Sequence, residues 1–256
     1  MPFWVFIVAA LIMAGVAFTV IFAAMRPASK PIDLPSVPET NSTNGSFVLP
    51  TVPQPALSGE YYTGNNSSSV LFVEYSDFQC PFCGRAIPAL DRLMSDYPQI
   101  KFVFRNFPLD AHPNAEKAAE AAECAGRQGK FWEMHDVMFS NQDQLSITDL
   151  KRFASGLGLD SAAFASCLDR GEAAGVVKAE KQEGQAAGIR GTPGFLVYTN
   201  RGRDSGIEKK LMAISDRFRS LGVSSAVVNV QGAGSGLVFA GAMPYSDYQS
   251  VIDAFN

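Results

Sequence analysis

Two cysteines separated by two residues, Cys80 and Cys83, form the most reactive motif of this 256-residue chain. They follow an apolar run, 70–75, and precede a stretch with helical periodicity, 84–97. A helix N-terminus carries partial positive charge and free amide N–H groups, so it stabilises a thiolate in its first turn. A Cys-x-x-Cys pair at that place can form and break a disulfide with little movement of the backbone. The spacing therefore predicts thiol–disulfide exchange.

The same motif is also half of a zinc site. A structural zinc site needs a second close pair of Cys or His ligands. The remaining candidates are two isolated cysteines, Cys124 and Cys167, and the two histidines of the chain, His112 and His135. His112 is expected at the entry of a helix, and His135, like its neighbour Trp132, in a helical core. We therefore expect no metal ion and no cofactor other than the redox-active disulfide.

The composition is that of a globular protein, with 47% apolar and 18% charged residues. The formal net charge is −4. An acidic balance of this kind lacks the basic surface that nucleic acid requires, so we expect no nucleic-acid partner.

An uncharged, proline-free segment, Phe3–Met25, lies near the beginning of the chain. As a helix it would span roughly 34 Å, enough for a bilayer core. Nothing basic precedes it, and it is longer than the apolar region of a cleaved signal peptide, so we expect a transmembrane anchor over 1–26. Arg26 and Lys30 follow the segment, which favours a cytoplasmic location for the rest of the chain. The redox chemistry favours the opposite side, and we give it more weight than two charges.

Residues 27–68 are rich in Pro, Ser, Thr and Asn, and we expect them to form a flexible linker. Four Asn-x-Ser/Thr triplets fall in this range. They are either glycosylation sites or chance matches in a biased composition.

From residue 69 onward the pattern predicts an α/β fold. Residues 69–112 read as strand, helix and strand, so the two strands should be parallel. Residues 113–188 are almost wholly helical in pattern, and strands return in 189–256. A helix predicted over 207–221, between two late strands, is either a partner surface or a long connection.

Three segments resemble DsbA-like disulfide oxidoreductases. They are EYSDFQCPFC at 74–83, GKFWEMH at 129–135 and GTPGF at 191–195. The resemblance implies a thioredoxin fold interrupted by an inserted helical domain. It also implies that Thr192 and a cis Pro193 face the dithiol and form a substrate groove, although a Gly-Thr-Pro alone is an ordinary turn.

The resemblance assigns roles by position. It implies that Cys80 is the attacking thiolate, that Cys83 resolves the mixed disulfide, and that Pro81 and Phe82 tune the couple. Glu74 matches a buried acidic residue that can relay the Cys83 proton; the alternative is a surface glutamate at a strand edge. Many strongly oxidising members carry His where this chain has Phe82, which leaves the oxidising strength open.

Some relatives carry a second disulfide in the helical domain, so we expect a Cys124–Cys167 bond. The alternative is two buried free thiols that behave as small apolar side chains.

Together these features imply a membrane-tethered oxidoreductase whose head lies outside the cytoplasm. It would donate the Cys80–Cys83 disulfide to folding proteins that contain cysteine, and a quinone-linked membrane enzyme would reoxidise it. The alternatives are a reductase or isomerase of the same fold, and a non-catalytic module that binds peptides at the cis-proline groove.

Overall fold

The computed structural model describes residues 48–56, 59 and 61–256. In this part of the chain seven strands form one mixed sheet, in the order β1-β6-β7-β5-β3-β4-β2. The strands are β1 Thr51–Val52, β2 Tyr61–Gly64, β3 Val70–Ser76, β4 Lys101–Asn106, β5 Gly194–Thr199, β6 Ser225–Val230 and β7 Gly234–Ala240.

Eight helices accompany the sheet within the same residues. They are α1 Pro81–Asp96, α2 Ala115–Gly126, α3 Phe131–Phe139, α4 Ile147–Gly156, α5 Ser161–Asp169, α6 Ala174–Ala186, α7 Ser205–Ser220 and α8 Tyr245–Asp253.

The centre of the sheet is the predicted strand–helix–strand unit. Strands β3 and β4 are parallel, as expected, and α1 connects them. Strand β5 pairs antiparallel with β3 on its other side. Side chains alternate along β3, so Phe72 joins the core beneath α1, α7 and α8, whereas Leu71 and Val73 face the opposite core. With apolar residues on both faces, β3 is fixed in the middle of the sheet.

Five helices, α2–α6, lie between β4 and β5, where the sequence predicts a helical block. Their alanine-rich and aromatic faces form a separate core, which Phe78 and Phe104 enter from the sheet side. Asp160 caps α5 as the sequence predicts, because its carboxylate accepts from the N–H groups of Ala162 and Ala163.

The range expected as a linker, 27–68, includes residues that belong to the sheet. Strands β1 and β2 lie within it and pair with β6 and β4. Tyr61 of β2 stacks on Phe131 with 3.7 Å between ring centroids. Strands of two and four residues are too short to produce a periodic signal, so only their pairing reveals them.

The anchor expected at Phe3–Met25 and the first part of the linker lie outside the described residues. Within the described residues, no helix combines the length and the apolar character needed to cross a membrane.

The helix expected over 207–221 is α7, Ser205–Ser220. Leu211 and Phe218 on its apolar face are fully buried in the core that α7 shares with α1 and α8. It is therefore an integral layer on one face of the sheet.

Candidate active site

The cysteine pair lies where β3 delivers the chain to α1. Cys80 is the residue before the helix, in extended conformation, and Pro81 occupies the first turn, where its missing N–H costs no helical hydrogen bond. Both cysteines are free thiols, and their residues are 3% and 0% exposed. Phe82 between them is 53% exposed, with the Arg85 guanidinium 4.1 Å from its ring centroid.

The pKa values of the two thiols are shifted in opposite directions. A hydrogen bond from the Cys83 thiol, aided by Thr192 and the backbone N–H groups of Cys83 and Phe82, lowers the pKa of Cys80 to about 5. Burial, together with the neighbouring Cys80 sulfur, raises the pKa of Cys83 well above its ordinary value. At neutral pH the reduced pair is therefore a thiolate at Cys80 hydrogen-bonded by a thiol at Cys83.

The Thr192–Pro193 loop meets this pair, as the resemblance implies. The peptide bond between the two residues is cis. Cys80 Sγ lies 3.5 Å from the Thr192 carbonyl oxygen, to which the thiol form donates. The Pro193 carbonyl accepts from Gly241 N–H at 2.8 Å, which ties the loop to the end of β7. A backbone strip next to the reactive sulfur is thus held in place by the sheet.

Glu74 lies on β3 between two neighbouring strands, so it is not a strand-edge residue. Its Oε1 is buried and has no hydrogen-bond partner among the described residues. Burial raises the pKa of Glu74, while the Ser76 hydroxyl and His135 act in the opposite direction.

Sequence reasoning missed Ser76. Burial raises the pKa of both Glu74 and Cys83, and the Ser76 hydroxyl opposes this shift in each of them. The Ser76 Oγ is buried and makes no hydrogen bond among the described residues, so it lies near both groups without bridging them. The signal was available, because residues two apart on a strand share a face.

Asp77, also missed, organises the loop before Cys80. Its side chain is fully buried. One carboxylate oxygen accepts from Gln79 N–H at 2.8 Å, and the other accepts from Leu109 N–H at 2.9 Å and contacts His112 Nδ1 at 2.7 Å. His112 thus helps to hold the active-site loop, beyond its expected place at a helix entry.

Gln142 fixes the same loop from the helical block. Its Nε2 donates to the Phe78 and Cys80 carbonyl oxygens, both at 2.9 Å. This approach requires glycine at position 84, because a Cβ there would lie 2.3 Å from Gln142 Oε1. The glutamine was missed because it lies 62 residues beyond Cys80 in the sequence.

The expected Cys124–Cys167 disulfide is present and joins α2 to α5, with 5.9 Å between the Cα atoms. Among the described residues, no group of three or more His, Cys, Asp or Glu side chains could hold a metal ion.

A family model described as Thioredoxin matches residues 57–216. The chain belongs to this thioredoxin family. Its fold is DsbA-like: Wolbachia pipientis alpha-DsbA1 is similar with a TM-score of 0.57 and 20% identity, covering 77% of this chain and 91% of that one. Pseudomonas aeruginosa DsbA2 gives 0.55 and 21%, covering 79% and 97%.

A sequence relative of a different kind is the Na⁺/H⁺ antiporter NhaA 3 of Salinispora tropica. It is 42% identical over 143 residues, which are 56% of this chain and 22% of the antiporter. The chain spans less than a third of the length of such relatives. This family member therefore resembles one part of a longer protein.

Proposed function

We propose that the protein is a membrane-tethered thiol–disulfide oxidoreductase that donates the Cys80–Cys83 disulfide to cysteine-containing proteins folding outside the cytoplasm. The observation that carries this proposal is the pairing of an acidic Cys80 thiol with a buried, weakly acidic Cys83 thiol beside Thr192–Pro193. Thiol–disulfide exchange needs one sulfur that leaves readily and one that is protected from solvent. No cofactor beyond the cysteine pair is required.

The reaction balances without a further reagent. A substrate thiolate attacks Cys80 Sγ, the Cys80–Cys83 bond breaks, and Cys83 leaves and takes up a proton. A second substrate thiolate then attacks the substrate sulfur of the mixed disulfide, and Cys80 leaves as a thiolate. The substrate loses two electrons, and the enzyme gains them as the reduced pair.

The acidity of Cys80 favours this direction. A thiol with a low pKa is a good leaving group, and a stabilised thiolate makes the reduced form of the enzyme the stable one. The hydrogen bonds that lower the Cys80 pKa can form only after the disulfide has opened, so they add to the driving force of donation.

Cys83 requires a proton when it leaves, because its raised pKa disfavours the thiolate. We assign Glu74 as the donor. A carboxyl group whose pKa is raised by burial holds a proton nearer to neutral pH than an exposed one, as a general acid requires.

Two features support tethering to a membrane. One is the uncharged segment Phe3–Met25. The other is that similar sequences occur within proteins named as Na⁺/H⁺ antiporters, which are membrane transporters. A head held at the outer face of a membrane would be reoxidised by a quinone-linked membrane enzyme.

The reduction potential of the full chain in detergent, equilibrated in graded glutathione buffers, tests the direction of electron flow. A value above about −180 mV supports disulfide donation, and a value near about −270 mV would indicate a reductase. Absence of exchange would leave a peptide-binding module and overturn the enzymatic proposal.

Trapping in cells tests the assigned roles. In Cys83→Ser the Cys80 thiolate can still attack disulfides of substrate proteins, which is the reverse of donation. The mixed disulfides should accumulate, because the Cys83 sulfur that would release the substrate is missing. Cys80→Ala is the matched control and should form none. Equal adducts in both variants would contradict the assignment of Cys80 as the attacked sulfur.

A further inference from the structure

Phe82 and Arg85 form an exposed pair at the start of α1, next to the reactive cysteine. Phe82 follows Cys80 by two positions and is largely exposed. The Arg85 Cζ lies 4.1 Å from the centroid of the Phe82 ring, and the Arg85 residue is exposed as well. A guanidinium stacked on a ring keeps its N–H edge free, and this edge can bind a carboxylate through two parallel hydrogen bonds. The pair therefore offers a positive edge beside an apolar ring.

Arg85 lacks a partner for that edge. Among the arginines of the described residues, it alone forms neither an ion pair nor a hydrogen bond within the protein. Arg92, two turns further along α1, also stacks on a ring, with 4.0 Å to the Tyr245 centroid, but its Nε contacts Asp96 Oδ2 at 3.4 Å. Stacking therefore does not prevent pairing with a carboxylate. The carboxylate that Arg85 lacks can come from a bound protein.

The acidic side chains near the reactive cysteine do not neutralise Arg85. The first turn of α1 contains no acidic residue. Asp77, the acidic residue nearest to Cys80 in the sequence, has a fully buried side chain that contacts His112. Asp143, on the loop before α4, is exposed and forms no ion pair with Arg85. The surface beside the cysteine pair is thus locally positive, although the net charge of the chain is −4.

The spacing determines where a carboxylate must lie in a bound protein. Cys80 and Arg85 are five residues apart, which is about 7.5 Å at the rise of a helix. Two or three residues of an extended chain cover roughly 7–10 Å. A substrate segment that brings its cysteine to Cys80 therefore reaches Arg85 with a side chain two or three positions away.

We propose that Arg85, held in place by Phe82, is a specificity-determining residue that favours substrate proteins with Asp or Glu two or three positions from the reacting cysteine. The inference rests on the proposed function and names the substrate class of the same site. The carboxylate and the guanidinium form an ion pair in the encounter complex and in the mixed disulfide. No proton or electron passes between them, so the exchange reaction itself is unchanged.

The test is the single-turnover oxidation of three dithiol peptides by the full oxidised chain in detergent. The peptides differ at one position, two residues from the first cysteine, where they carry Asp, Asn or Lys. The quantity measured is the ratio of the second-order rate constants for the Asp and Lys peptides. A charge beside the peptide cysteine also alters the reactivity of that thiol, so the decisive result is how this ratio changes between enzyme variants.

Arg85→Gln should lower the Asp-to-Lys ratio by ~3–10-fold, because an exposed attraction and an exposed repulsion of modest size are both removed. Arg85→Glu should lower it further, since it repels the acidic peptide. About 0.5 M salt should reduce the difference between wild type and variants, because exposed charges are screened. Any effect of these substitutions on Cys80 itself acts on all three peptides and cancels in the ratio.

Arg92→Gln is the matched control, because Arg92 is exposed on the same helix and also stacks on an aromatic ring. It should keep the wild-type ratio. Arg85 makes no bond within the protein that folding would lose, so its variants should fold as the wild type does.

The outcomes separate the two proposals. If the wild type oxidises the peptides and Arg85→Glu keeps the wild-type ratio, the inferred selectivity is wrong and the proposed function stands. An equal change in Arg92→Gln would show that the general surface charge sets the ratio, and it would also overturn the role of Arg85. If the wild type oxidises none of the peptides, the proposed function falls and the selectivity with it.

Discussion

At the scale of single residues, the chemistry depends on one sulfur being acidic and its neighbour not. The two thiols are three positions apart in one helical turn, yet burial and hydrogen bonding act on them in opposite directions. The largest contribution to the acidity of Cys80 is the hydrogen bond from Cys83, so each thiol sets the protonation of the other.

This dependence predicts that Cys83→Ala raises the pKa of Cys80 from about 5 toward its ordinary value of 9.0. Cys83→Ser retains a hydroxyl donor and should raise it less. Thiolate absorbance at 240 nm followed against pH measures both variants. Identical titrations for the two would show that the Cys83 donor contributes nothing.

Phe82→His adds an ionisable donor next to Cys80, where the present side chain is 53% exposed and cannot ionise. We expect a lower pKa at Cys80 and a more oxidising couple, by about 30 mV for each pKa unit. Glutathione equilibration measures the potential. Phe82→Leu is the control, and equal potentials for the two variants would contradict the argument.

At the scale of elements, the start of α1 is held by contacts from other parts of the fold. Asp77 fixes the loop from within, and Gln142 reaches from the helical block to two carbonyl groups of that loop. The helix supplies the partial positive charge, and these contacts determine where Cys80 lies relative to it.

Gln142→Ala should lower the free energy of unfolding by about 1–3 kcal/mol, because two carbonyl groups lose a donor. Gly84→Ala should cost a similar amount, since its Cβ would displace Gln142. In the Gln142→Ala background the same glycine substitution should become neutral or stabilising, since alanine favours a helix. Denaturant unfolding of the four proteins completes the cycle, and additive effects would refute the coupling.

At the scale of the whole molecule, the helical block and the sheet meet at a buried cluster of charges. Arg105 of β4 pairs with Glu180 and Glu183 of α6, at 3.5 and 3.3 Å. Asn106 donates to Glu123 of α2 and to Glu180, at 2.8 and 2.7 Å. Two carboxyl groups thus share one guanidinium, and Asn106 links the third, Glu123, to them. Burial, together with the nearby Glu180, raises the pKa of Glu123 to about 7.

A raised carboxyl pKa makes the folded state bind more protons than the unfolded state between the ordinary value of 4.5 and about 7. The contribution of Glu123 to stability should therefore fall as pH rises through this window, by up to ~3 kcal/mol. Glu123→Gln should flatten this part of the curve and stabilise the protein at pH ~8. Thermal unfolding from acid to alkaline pH tests it; Glu116→Gln, exposed on the same helix, should behave as the wild type.

The sequence by itself determined the features that depend on neighbouring residues. A strand followed by a helix that begins with Cys-x-x-Cys, the parallel β3–β4 pair and the helical block between β4 and β5 all follow from local periodicity. The motif at 191–195 and the expected Cys124–Cys167 bond came from the resemblance, and the structure contains both the cis peptide and the disulfide.

Only the tertiary structure decided what surrounds the sulfur atoms. It buries Cys83, brings Gln142 to the Cys80 carbonyl across 62 residues and places Leu109 and His112 against Asp77. It also adds β1 and β2 to the sheet edges, within the segment expected as a linker. These features depend on pairing and packing between distant segments, and acidity depends on burial, so no periodicity in the chain records them.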